Sequence, residues 1–113
     1  MIVNLPWPAR ILSPNARAHW SGIARAKRSA RIAAYYLARE ARPSLTMTAP
    51  LVSMEFRPPD NRRRDLDNLI SSMKAALDGI ADAIGCDDHN FRLAATMGPA
   101  QPPHGTVIVT VTP

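Results

Sequence analysis

The sequence predicts an α+β domain with two main helices and a handful of short strands. Two observations carry that expectation. Leu69, Met73, Ala76, Leu77, Ile80 and Ile84 share one side of a helix. The run Thr106–Thr112, TVIVTVT, is rich in β-branched residues and is the strongest strand in the chain. At 113 residues, one domain over 1–113 is expected.

In chain order, Ile2–Leu5 reads as a short strand. It is cut by Pro6 and Pro8, which lack the amide donor that a central ladder position needs. Ser13–Asn15 is a turn or cap signal. From about Ala18 to Arg42 alanine and arginine, both good helix formers, dominate. Ile23, Ala26, Ala30, Ala33, Ala34 and Leu37 supply the stripe expected to be buried, with Arg25, Arg28, Arg31 and Arg39 largely off it. Pro43 should stop this helix. Leu45–Phe56 reads as a strand interrupted near Pro50. Arg57–Arg64 is a loop, since Pro58, Pro59, Asp60 and Asn61 favour turns. A second helix runs from about Leu66 to Ile84 and ends at Gly85. CDDHN is a tight polar link to a strand at Phe91–Met97, and GPAQPPHG is a loop before the final strand.

With 46% hydrophobic and 20% charged residues the chain reads as globular rather than disordered. No apolar stretch approaches the roughly 20 residues of a membrane helix, and the start lacks a basic–apolar–small signal pattern. A cytoplasmic protein with no membrane partner is expected. Lone Cys86 forms no internal disulfide and suits a reducing compartment. Cys86 and His89 fall short of the about four ligands of a structural zinc site. Neither a P-loop nor a GxGxxG run appears, so no organic cofactor is expected. His19 and His104 have no evident partners. Trp7 and Trp20 suit either burial or stacking on unpaired bases.

The charge is uneven. Residues 1–64 carry a balance of +9 and residues 65–113 one of −4, which makes the net +5. Most of the basic residues are arginine, whose planar fork suits phosphate contact. A polyanionic partner fits that pattern, and so does a generally basic protein. RRRDLDN, residues 62–68, sets three arginines against two aspartates, and Asp87 and Asp88 follow the second helix. A straight helix of that length would hold the two acid pairs about 25–30 Å apart. They meet only if the helix is shorter or the chain folds back after Gly85. Gathered, they would suit Mg²⁺ beside a phosphodiester, with Asn68 and Lys74 near the same centre. The plainer alternative makes Asp65 or Asp67 a helix cap and Asp87 and Asp88 turn formers. Ser71, Asp78 and Asp82 read as solvated helix-face residues.

LPWP, RPPDNRRRDLDNL, KAALDGI, the DD pair and the terminal β segment together resemble the RusA-type Holliday junction resolvases. These are small endonucleases common in bacteria and their prophages. The resemblance covers nearly the whole chain. It implies a homodimer with an α+β fold and a small mixed β-sheet, using Mg²⁺ to cut two strands of a four-way DNA junction symmetrically. The implied metal site is Asp65, Asp67 and Asp88, with Asp87 as neighbour. Arg62, Arg63, Arg64 and Asn68 would lie along the DNA. The family's lysine position, four after Asp67, is Ser71 here, and Lys74 stands nearly one turn further on. Affinity would be phosphate-driven and salt-sensitive, with junction preference coming from shape. The alternatives are a junction- or nucleic-acid-binding protein that does not cleave, and a small basic RNA-binding protein.

Overall fold

Alternation along three strands builds one wall of the core. Val3 and Leu5 in β1 (Ile2–Pro6), Val52, Met54 and Phe56 in β2 (Leu51–Arg57), and Val107, Val109 and Val111 in β4 (Thr106–Thr112) are all buried. Successive side chains of a strand point to opposite faces, so one face is apolar while the other stays half open. The computed structural model describes residues 1–41 and 47–113. The stop expected at Pro43 and the strand start expected at Leu45 lie outside them.

The sheet order is β1-β4-β2-β3, with β3 at Arg92–Met97. β4 pairs antiparallel with both β1 and β2, and β3 runs parallel to β2. A parallel neighbour requires a crossover, and residues 58–91 supply it. The sheet is therefore mixed, and the chain is α+β.

The second helix is not one rod. It divides into α2 (Leu66–Ser72) and α3 (Lys74–Ile84), joined at Met73. The Ser72 hydroxyl donates to the Asn68 carbonyl at 2.8 Å, and the Met73 amide reaches Ile70 O at 3.0 Å. Serine bonding back one turn and a tightened final turn both bend helices. The buried stripe survives the break, because Leu69, Met73, Ala76, Leu77, Ile80 and Ile84 are all in the core. The expectation of two main helices is thus corrected to three.

α1 (Trp20–Glu40) is capped by His19, whose Nδ1 accepts from Ser21 N at 3.2 Å. It buries less than its sequence stripe suggested. Ala34 and Ala38 are buried, Ile23, Ala26, Ala30 and Leu37 are partly covered, and Ala33 is exposed. The packing is instead set by Gly79. A β-carbon there would stand 2.2 Å from the Arg31 carbonyl oxygen, so α1 and α3 touch backbone to backbone. Gly85, in the left-handed region at φ 71°, ends α3 and turns the chain back. No helix among the described residues is long and apolar enough to cross a membrane.

Candidate functional site

Asp65 closes the 58–64 loop and caps α2: its Oδ1 accepts from Asp67 N at 3.0 Å. Asp67, exposed in the first turn, has no hydrogen-bond or ion-pair partner for its carboxylate among the described residues. Asp87 caps the 3₁₀ turn Asp88–Asn90 by accepting from His89 N at 2.9 Å. Two of the four acids therefore have the capping role that their residue type favours.

Asp88 behaves differently. After Gly85 the chain folds back, and the Lys74 ammonium donates to Asp88 Oδ2 and also, at 2.7 Å, to Asp78 Oδ1. Hydrogen bonds to Asp78 and then Asp88 raise the lysine pKa, and the lysine holds the Asp88 carboxyl below its ordinary value. Lys74 is thus a fixed positive charge at neutral pH, suited to electrostatic work rather than to proton abstraction.

The kink and the fold-back together shorten the gap that a straight helix would impose. From Asp67 to Lys74 is seven residues, about 10 Å of helical rise. Asp65 and Asp67 stand at the α2 end of that span, and Asp88 with Asp78 at the α3 end. The three expected metal ligands are not gathered into one cluster: among the described residues, no group of three or more His, Cys, Asp or Glu is placed to hold an ion. Asp78 is the member that sequence reading missed, having been taken as solvated. Its i,i+4 spacing from Lys74 was the available signal.

The three arginines differ in what they can do. Arg64 has only 15% of its side chain exposed. Its guanidinium donates to the carbonyls of Asp60 and Arg62, pairs with Asp60 at 2.9 Å, and lies 5.4 Å over the Trp7 ring. Trp7 in turn stands edge-on to Phe56. Arg64 braces the loop rather than facing outward. Arg62, 79% exposed, shares Asp60, and Arg63 is exposed without an ion-pair partner among the described residues. Bonds from the Arg62 amide and then its side chain hold the Asp60 carboxyl at about 2.

Beside Asp65 opens a groove of about 650 Å³, lined by Trp7, Arg10, Arg17, Arg64, Asp65 and Asn68. Arg10 and Arg17 are exposed and were not singled out from the sequence, where no spacing ties them to the acids. Asn68 is half-buried on the groove wall. Trp20, by contrast with Trp7, is 73% exposed at the start of α1.

Fold and site together define a basic α+β domain that carries a lysine-bridged carboxylate pair and a cation-lined groove. No family model matches the chain. An uncharacterized protein of Xylella fastidiosa (strain Temecula1 / ATCC 700964) is 36% identical over 115 residues, spanning 97% of this chain and 74% of that relative. The chain belongs to the same family as that protein.

Proposed function

We propose that the chain is a Mg²⁺-dependent, structure-selective DNA endonuclease of the RusA type, acting as a homodimer on four-way junctions. One observation carries the reading: Asp88 is brought back to Lys74, a single short helix away from the DLDN acids. The donor chemistry fits the ion. Mg²⁺ takes one or two carboxylates and completes its shell with water and substrate phosphate, so it does not need three acids from one chain in contact. Asp67, with Asp65 beside it, would hold the ion at the α2 end, where it would stabilise charge on the departing oxygen, while Asp88 stays with Lys74 at the α3 end.

The chain's own groups have separate tasks. Arg62 and Arg63 on the loop, with Arg10 and Arg17 across the groove, bind the phosphate backbone. Lys74 offsets negative charge developing on the phosphate at the reaction centre. Asn68 orients the group beside it. Two copies related by a two-fold axis would present two such centres to a two-fold junction.

The test is cleavage of a synthetic four-way junction with and without Mg²⁺, comparing wild type with Asp67→Asn. The expected result is metal-dependent cutting by wild type, with tight binding and no cutting by the variant. If wild type binds junctions yet cuts with neither Mg²⁺ nor Mn²⁺, a non-cleaving binding protein replaces the enzyme. A preference for RNA over any junction would remove both.

A further inference from the structure

A second groove, of about 620 Å³, lies between α1 and the α2–α3 joint and shares only Ser72 with the first. Lys27, Arg28 and Arg31 line it from α1, and Ser71, Lys74 and Asp78 from the other side. Four cations thus face one carboxylate. Residues 27 and 28 each lie about one turn from 31 on the helix, so their like charges repel Arg31. Arg31 is tied down by Asp82 at 2.8 Å, and Lys74 by Asp78 and Asp88. Lys27 and Arg28 are exposed and enter none of the ion pairs among the described residues. A face that concentrates uncompensated positive charge, and sits in a groove, is complementary to an extended anion.

We infer that this α1 groove binds the sugar–phosphate backbone of a DNA arm and leads it to Lys74. The inference rests on the proposed function for the identity of the polyanion. The groove is distinct from the arginine loop and lies on the other wall of α2 from Trp7 and Arg17. Of its two fixed cations, Lys74 stands next to Asp88 and Arg31 next to Asp82. Its two unpaired ones mark the approach.

The experiment is equilibrium binding of a labelled four-way junction in EDTA across a salt series, by fluorescence anisotropy. Lys27→Ala, Arg28→Ala and the double variant are compared with Arg25→Ala, which removes another exposed charge of α1 that lies outside the groove. Each groove residue lost should make the slope of log K on log salt shallower by about 0.9. The penalty between about 50 and about 200 mM salt then shrinks about 3.5-fold per residue. Arg25→Ala should keep the wild-type slope. Equal slopes for groove and control variants would overturn the groove, and tighter binding of an RNA duplex than of the junction would overturn its assignment to DNA. A wild type that cuts in Mg²⁺ while the groove variants keep its slope sinks the groove alone. One that binds without cutting, and whose slope falls in the variants, sinks the nuclease reading and leaves the groove. Failure to bind any DNA removes both.

Discussion

Replacing Gly79 with alanine should force α1 away from α3. The added β-carbon would stand 2.2 Å from Arg31 O and 3.0 Å from both Arg31 C and Tyr35 N, whereas ordinary contact begins at 3.4 Å. All three atoms are backbone, so no side chain can rotate out of the way. The helices must separate by more than an ångström along their tightest contact. Overpacking of this kind costs about 1–3 kcal/mol, and a backbone clash belongs at the upper end. Alanine returns about 1 kcal/mol of helix propensity. The net loss is about 2 kcal/mol. For a domain near this size that corresponds to a fall in Tm of roughly 8 °C. Thermal melts followed by circular dichroism, paired with urea titration, measure both quantities. An unchanged or raised Tm would refute the close approach, because only the propensity gain would then have been seen.

Lys74→Met leaves Asp78 and Asp88 side by side without their shared cation. Asp88, held low in the wild type, should titrate at higher pH by carboxyl NMR, and an unmoved titration would count against the bridge. The lysine keeps its stabilising pairing from neutral pH down to the ordinary carboxylate range, and loses it as pH falls through the depressed Asp88 value. Junction cleavage by Lys74→Met should drop roughly 10²-fold, well beyond the loss in binding expected for one phosphate contact. A cleavage rate near wild type would remove Lys74 from the reaction centre. Asp60→Ala should speed hydrogen exchange at the Arg62 amide, which donates to Asp60 Oδ1 at 3.0 Å. Because the Asp60 carboxyl is held at about 2, the intact loop should stay pinned at pH 4 and loosen only as pH falls through that value. Equal protection factors at pH 7 and below pH 2, each referred to the intrinsic amide exchange rate at its own pH, would contradict the pinning.

Where period and punctuation agreed, the sequence reading matched the structure closely. Thr106–Thr112 is a strand over the expected residues, and the Leu69-to-Ile84 stripe is buried throughout. What escaped were features decided by a few atoms. The break at Met73 coincides with the Ser72 hydroxyl bonding to a carbonyl one turn back, which leaves the hydrophobic period intact. The alanine-rich stripe of α1 marked a helix but not its contact, because Gly79 on the opposing helix set the approach. Arg62, Arg63 and Arg64 are identical in type, yet only Arg64 is drawn in, by Trp7 and Asp60, which lie outside the triplet. In the site, Asp65 as a cap was legible from residue type, and the meeting of Lys74 with Asp88 required a fold-back that spacing alone could not supply.

The joint at Met73 turns the link from β2 to β3 into two levers and a pivot. Asp65 and Asp67 ride the first lever, while Lys74 rides the second and brings Asp88 with it. The first lever is about 10 Å long, so a 10° swing displaces its tip by about 2 Å. The outer ends of the linkage are anchored by the Leu51–Arg92 to Phe56–Met97 register. Carboxylate separation is therefore set by the angle held at one buried residue, Met73, while the strands fix the outer ends, a geometry that an unbroken rod would deny.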